Sequence, residues 1–482
     1  MKYQSTRSAA VSASSTAAVL QGLADDGGLF ITKDLGGFDW QGTLALSTLG
    51  MAEKILSALL PDLDAMPELV QRAYTGKFET DELTPLAAVG ERYVLELFRG
   101  PTSAFKDVAL SMLPQLITAA RAQEGVTDEI LILTATSGDT GKAALAGFCD
   151  VPGTKIIVFY PDEGVSKVQK AQMVTQEGEN VCVCAVRGNF DDTQTGVKKI
   201  FAAGVPDNCG IRLSSANSIN IGRLAPQVVY YFRAYADLLR AGRIAAGEAV
   251  DYVVPTGNFG DILAGYLAKR MGLPVGKLIC ASNRNDVLTD FLRTGTYDRR
   301  RPFYKTLSPS MDILVSSNLE RLLYLLCEDE NEVAGYMRDL NEKGAYTVSA
   351  AMQAKLREEF GFGCCDDVQT KETIGRVWKE HGYLMDTHTA VAWKVAESCQ
   401  SENPVVVLST ASPYKFPAAV LSAIGGDTDG DEFEIMARLH EMTGVPVPRG
   451  LATLQSKSVR HTDVIDREQM QDYVLCKIAR WK

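Results

Sequence analysis

From about residue 90 the chain alternates short, unbroken apolar runs with longer stretches in which apolar positions recur every three or four residues. The runs at 93–97, 130–134, 155–159, 180–186, 252–254, 278–281 and 404–408 predict strands buried on both faces. The stretches at 108–122, 142–148, 165–177, 193–203, 224–239 and 262–271 predict helices. Pro114 must sit early in its helix or kink it. Strand–helix alternation with continuously apolar strands predicts parallel sheet covered by helices on both sides. Residues 1–85 differ: they predict helices joined by short loops, with 51–60 apolar on a helical period and Pro61 and Pro67 interrupting the helical pattern after residue 60. Residues 328–359 are charged and amphipathic and predict a surface helix pair. The tail beyond 425 mixes acidic and helical segments. No internal repeat or low-complexity tract interrupts this order.

Bulk properties narrow the function. A chain of 482 residues implies two or three domains with large cores. The expected divisions are 1–88, 89–425 (a smaller half near 106–220 and a larger half near 221–425) and 426–482. A formal charge of −11 disfavours nucleic acid and anionic membrane surfaces, because both need a basic face. Ten cysteines without a C-x-x-C pair, and only four histidines, form no zinc pattern and are expected to be reduced thiols of a cytoplasmic protein. Lys2 and Arg7 before the small-residue stretch 8–20 give a superficial likeness to a signal peptide. Ser12, Ser14, Ser15 and Thr16 interrupt it, and 21–28 reads as a helix end stopped at Gly27-Gly28. No run approaches the ~20 apolar residues of a membrane span.

The chemistry concentrates at turns. Lys106 closes the run Gly100-Pro101-Thr102-Ser103-Ala104-Phe105-Lys106 between a strand and a helix. A lysine there is ordinarily a solvated helix start. Partial burial beside Phe105 would instead lower its pKa and free an amine for attack. Two glycine turns come later, Ser137-Gly138-Asp139-Thr140-Gly141 and Thr256-Gly257-Asn258-Phe259-Gly260-Asp261, each between a strand and a helix. The first nearly matches a nucleotide P-loop, but Thr136 stands at the first glycine position and Ala143 at the magnesium-ligand position. It reads either as a plain connection capped by Asp139 or Thr140, or as a cradle for a carboxylate or phosphate. The second is the stronger anion cradle; its G-x-x-G spacing lacks the dinucleotide fingerprint. Asp261 either caps the following helix or would repel a phosphate. A third cluster, Asn217-Ser218-Ile219-Asn220-Ile221-Gly222-Arg223, is read as a helix start capped by Asn220 or as a phosphate or carboxylate site.

Taken in order, these segments resemble the threonine synthases, pyridoxal-phosphate enzymes of fold type II. Ser5-Thr6-Arg7, Gln21-Gly22-Leu23-Ala24 and Asp26-Gly27-Gly28-Leu29 are similar to that family's N-terminal segment. Gly100-Pro101-Thr102 with Ala104-Phe105-Lys106-Asp107, then 134–141, 217–220 and 257–261, resemble further blocks. The resemblance implies an α/β, tryptophan synthase β-like fold: two parallel-sheet αβα half-domains plus a helical N-terminal domain. It implies that Lys106 carries pyridoxal 5'-phosphate through its amine and that Gly257, Asn258, Phe259 and Gly260 hold the cofactor phosphate. Thr410 would meet the pyridine nitrogen and Asp139 would lie near the ring hydroxyl. Ser137, Gly138 and Thr140 would receive the substrate carboxylate, and Ser218, Asn220, Arg223 and Lys415 the substrate phosphate. The implied reaction converts O-phospho-L-homoserine and water into L-threonine and phosphate, in a monomer or homodimer. The rival readings are a related phospho-lyase giving 2-oxobutanoate, a non-catalytic binder of the cofactor or an amino-acid phosphate, and a nucleotide-binding protein. The chain departs from the family pattern at Arg99 and Ser103, where histidine and leucine are common, and at Ser412 and Tyr414, where histidine and alanine are frequent.

Overall fold

The computed structural model describes residues 2–136, 138–163, 165–206 and 209–481. Two sheets organise it. The larger has six strands in the order Phe360–Cys364, Val275–Ser282, Val250–Pro255, Val405–Ser409, Arg92–Glu96, Leu86–Val89. All neighbours are parallel except the last pair, an antiparallel hairpin. The smaller has five strands, all parallel, in the order Asp463–Asp466, Val181–Arg187, Thr154–Pro161, Glu129–Ala135, Ile211–Ser214. Every residue of Val250–Pro255 is buried, as a parallel strand covered on both faces must be. The predicted strands are all present, several longer than expected and the others shifted by a single residue.

The helix Lys106–Gln123 buries most of its length. It packs against the smaller half's helix Asp139–Phe148 and the N-terminal helices Ser15–Gln21 and Met66–Tyr74. Pro114 sits midway along it, where its missing N–H leaves the Leu110 carbonyl without a helical donor. One turn on, the Thr118 hydroxyl donates to the Pro114 carbonyl at 2.9 Å.

Three elements depart from the sequence expectation. The N-terminal region carries helices and also a three-stranded sheet of Tyr3–Ser5, Ser8–Ala13 and Phe30–Ile31. Its first helix stops at Gly22 (φ 77°), not at Gly27-Gly28, and Pro67 lies in the first turn of Met66–Tyr74 instead of breaking a helix. The surface pair at 328–359 is Glu330–Glu342 and Ala350–Glu359, separated by the short strand Ala345–Thr347. The tail is built into the smaller half: Asp463–Asp466 becomes its edge strand, and Met470, Val474 and Ile478 of the last helix enter its core. Strands of two to four residues carry too few alternations to register as a pattern. Among the described residues no helix is long and apolar enough to cross a membrane, and no cluster of His, Cys, Asp and Glu could hold a metal ion.

Candidate active site

The carboxyl ends of the two sheets face one cavity of ≈ 460 Å³. Clefts at that end of parallel strands are where open α/β folds bind ligands. Lys106, Asp139, Thr140, Arg223, Gly257 and Thr410 all line it, although they lie as far as about 300 residues apart in the chain.

Lys106 opens its helix directly after a tightly bonded turn. Asp107 accepts from the Thr102 backbone N–H at 2.8 Å and from the Thr102 hydroxyl at 2.5 Å. Gly100 leaves room for that carboxylate; a Cβ would come within 2.6 Å of an Asp107 oxygen. Ser103 holds a left-handed φ of 61° in the same turn. The segment after Val405–Ser409 stitches on from the other side, with Phe105 N–H donating to the Thr410 carbonyl (2.8 Å) and Ser412 N–H to the Ser103 carbonyl (3.1 Å). The Lys106 side chain is 8% exposed, with its ammonium 4.5 Å from the Phe105 ring centre. Burial pushes this amine down to about 8; Asp139 opposes the shift, and Arg223 and Lys415 add to it.

The turn at 256–261 presents its backbone to the cavity. Its carbonyls face away: Gly257 O accepts from the Ser316 hydroxyl at 2.7 Å, and Asn258 O accepts from both the backbone and side-chain N–H of Asn318 at 3.1 Å. Among the described residues, the N–H groups of 257–260 have no protein acceptor. Phe259 takes a left-handed φ of 62° at the helix start, and its ring is buried. A Cβ at Gly257 would lie 2.7 Å from the Ser310 carbonyl oxygen, so only glycine fits that close approach. At Gly260 the nearest atom to a Cβ is 3.5 Å away, an ordinary contact. Asp261 bonds its own helix start at Ile262 N–H (2.9 Å), and burial raises its carboxyl to about 6.

The turn at 136–141 behaves differently. Both Gly138 N–H and Gly141 N–H donate to the Thr136 hydroxyl, at 3.0 and 2.9 Å. Ser137 lies outside the described residues. Asp139 is buried against Lys415 (2.6 Å) and Gln169 (2.8 Å). Burial alone would raise its carboxyl, but Lys415 and Lys106 hold it well below the usual carboxylate range. Lys142, the P-loop-like lysine, donates to the Gln176 side chain and is not among the cavity-lining residues.

Two predicted phosphate ligands occupy other posts. Lys415 is fully buried between Asp139 and the Thr102 carbonyl (3.1 Å), outside the cavity wall. Asn220 caps the helix Ile221–Leu224 through Gly222 N–H (2.8 Å) and ties it to the Val19 carbonyl (2.9 Å). Ser218 and Arg223 do line the cavity. Arg223 is buried, donates to the Ala216 carbonyl at 2.7 Å, and is pulled down to about 10 by that burial, so it stays charged at neutral pH. The departures Arg99, Ser103, Ser412 and Tyr414 all lie off the cavity wall. Arg99 pairs with Glu96 at 2.5 Å, and Tyr414 is buried with its hydroxyl donating to the Val445 carbonyl.

Sequence reading missed a second wall at 309–315 and the histidine behind it. His388 Nδ1 bonds the buried Asp386 at 2.7 Å, and its Nε2 accepts from Ser310 N–H at 3.2 Å, fixing the segment that packs on Gly257. It also missed Arg321, which is fully buried and joins three regions: it donates to the carbonyls of Phe30 (3.0 Å) and Ile219 (2.5 Å) and to the Asn318 side chain (2.6 Å). A DTHT run and a lone arginine in an apolar helix carry no chemical signature until the fold assembles them.

Comparison with known proteins identifies the family. The chain matches family profiles described as pyridoxal-phosphate dependent enzyme over residues 81–411, threonine synthase N terminus over 2–74, and threonine synthase, C-terminal, over 389–474. It is 39% identical over 429 residues to the protein named threonine synthase-like 1 of Homo sapiens, covering 84% of this chain and 57% of that one. The chain thus spans a little over half the length of that relative. It is 41% identical over 435 residues to the threonine synthase of Pseudomonas aeruginosa, covering 88% of this chain and 90% of that one. Its structure superposes on that of pyridoxal-phosphate-bound threonine synthase from Brucella melitensis with a TM-score of 0.88 at 39% identity, over 98% of both chains.

Proposed function

The chain belongs to the threonine synthase family of pyridoxal-phosphate-dependent enzymes, and on that premise we propose that it converts O-phospho-L-homoserine and water into L-threonine and phosphate. The observation that carries this reading is one buried lysine amine placed between a backbone cradle at 257–260 and a second cationic wall at Arg223.

The residues fit the family's cofactor. The N–H groups of 257–260 lie without protein acceptors among the described residues, in a cavity-lining turn at a helix N-terminus, which suits a phosphate. Lys106 would hold the aldehyde carbon, Thr410 would face the ring nitrogen, and Asp139 would lie near the ring hydroxyl. Bound there, the cofactor supplies an electron sink for negative charge developing on the substrate carbons.

The chain's own groups do the remaining work. An amine lowered to about 8 is neutral in a usable fraction near neutral pH, so Lys106 can take and return protons at the substrate's α and β carbons. Lys415 keeps Asp139 anionic when Lys106 loses its charge, since it is the carboxylate's second buried cation. Thr410 offers a hydroxyl, not a carboxylic acid, and so delivers no full proton to the ring. Thr140, which lines the cavity, would receive the substrate carboxylate; Gly138, whose N–H already donates to the Thr136 hydroxyl, would shape the turn beside it. Arg223 and Ser218 would bind the phosphate and stabilise it as it departs. Asn220 and Lys415 support these walls from behind.

The test is phosphate release from O-phospho-L-homoserine with product identification. Threonine in equal amount supports the proposal. Release of phosphate with 2-oxobutanoate would replace it with the phospho-lyase reading, and absence of turnover in cofactor-loaded protein would leave only a binding role.

A further inference from the structure

The helix Phe190–Ala203 has three faces with different fates. Thr193, Gly196, Val197 and Ile200 are buried, packing the helix on the smaller sheet. Asp192 and Lys199 line a separate groove against the tail residues Arg467 and Met470, with Asp192 paired to Arg467 at 3.1 Å. Phe190, Gln194 and Lys198 line the catalytic cavity. Their spacing of four residues puts them in one stripe along the helix. Lys198 is exposed at that rim, and the ion pair on this helix leaves it without a carboxylate partner among the described residues.

Building on the proposed activity, we propose that Lys198 is a specificity-determining residue that binds the phosphate of the substrate from the smaller half, opposite Arg223. The charge balance of the cavity motivates it. A phosphate monoester carries about −1.5 to −2 near neutral pH, whereas the inner wall offers it one guanidinium. Lys106 is committed to the amine chemistry, and Lys415 to Asp139. Arg223 already donates one of its N–H groups to Ala216. A second cation must come from the rim, and Lys198 is the lysine whose helix face turns toward it. A long flexible stem reaches a phosphate as a point charge without requiring a fixed fork. The position also explains the apolar and amide residues at 190 and 194: they wall the path between rim and amine without adding charge.

The adjacent lysine provides the control. Lys198→Gln and Lys199→Gln remove the same charge one residue apart, from different faces of one helix. Both side chains are exposed, so both variants should fold. Binding of the phosphonate in which CH2 replaces the ester oxygen of O-phospho-L-homoserine is followed calorimetrically on cofactor-loaded protein, alongside steady-state kinetics. Lys198→Gln should weaken the phosphonate about tenfold or more and raise KM similarly, with kcat within about threefold and cofactor affinity unchanged. Lys199→Gln should behave as wild type, and Lys198→Arg should recover most of the affinity. Wild-type affinity in Lys198→Gln, or equal weakening in both glutamine variants, overturns the assignment. Wild-type protein that binds no phosphonate overturns the proposed activity and this inference with it.

Discussion

The two glycine turns look alike in sequence and act differently in the fold. Each comes after a buried parallel strand and opens a helix. At 136–141 the Thr136 hydroxyl takes up the N–H groups of Gly138 and Gly141, so much of the turn's donor capacity is satisfied internally. At 256–261 the carbonyls are pulled outward by Ser316 and Asn318, and the N–H groups of 257–260 are left for a ligand. The glycines differ as well. A Cβ at Gly141 would overlap the side chains of Thr136 and Val158, whereas one at Gly257 would strike the backbone of Ser310. A side chain can give way where backbone cannot. Glycine at 141 therefore makes room for neighbouring side chains, while glycine at 257 admits the backbone of the 309–311 wall against the turn. A strand–glycine–helix pattern marks a candidate anion site, and the partners of its carbonyls decide whether it is one.

The comparison can be broken most decisively through the amine that both turns flank. Lys106→Ala should reduce turnover about a thousandfold or more. Borohydride treatment of cofactor-loaded wild type should fix a phosphopyridoxyl mass at residue 106; a label on another lysine ends the account. Next in size is the charge held at the first turn. Lys415→Met leaves Asp139 buried without its 2.6 Å partner and should lower stability in denaturant by about 3–5 kcal/mol. A loss confined to substrate affinity, with stability unchanged, would return Lys415 to the role of phosphate ligand. The glycines then separate the turns directly. Gly257→Ala and Gly141→Ala should each cost about 1–3 kcal/mol of strain. Only Gly257→Ala should also weaken pyridoxal 5'-phosphate in equilibrium dialysis, and equal cofactor loss in both variants would erase the distinction. Thr136→Val should destabilise by about 1–3 kcal/mol, by leaving two N–H groups without an acceptor, while retaining cofactor affinity.

The mildest effect is on pH. The Lys106 ammonium is lowered to about 8 in the folded protein against 10.5 ordinarily. Between these values the unfolded chain binds the extra proton, so apoprotein stability should rise with pH through that window. Attachment of the cofactor should quicken up to about pH 8 and then level off. A flat profile across that range would show that the amine is not desolvated.

Much of the architecture was legible from residue pattern. Continuous apolar strands such as 130–134 and 252–254 announced parallel sheet because burial on both faces leaves no room for polar alternation. Lys106 and the 257–260 turn stood out as candidates because a lysine on a turn, or paired glycines at a helix start, is a local arrangement, and the fold brings both to one cavity. The features that escaped were short or distributed. Tyr3–Ser5, Phe30–Ile31 and the edge strand Asp463–Asp466 are too brief for periodicity to reveal, and the six-residue Ser8–Ala13 is mostly Ser and Ala with no buried–exposed alternation. Asp386, His388, Ser310 and Arg321 acquire meaning only from partners up to about 300 residues distant.

Sequence by itself determined the fold class and marked Lys106 and the glycine turn at 257–260 as candidates, because strand runs and turn residues are local patterns, and both segments line the cavity. Tertiary structure decided which polar groups remain available. It turned Asn220 into a cap and Lys415 into a counter-ion, left Arg223 in the wall, and set Lys198 and Lys199 on different faces of one helix. The reason is that a charged or hydrogen-bonding group acts on a ligand only if the fold has not already given it a partner, and those partners come from remote parts of the chain.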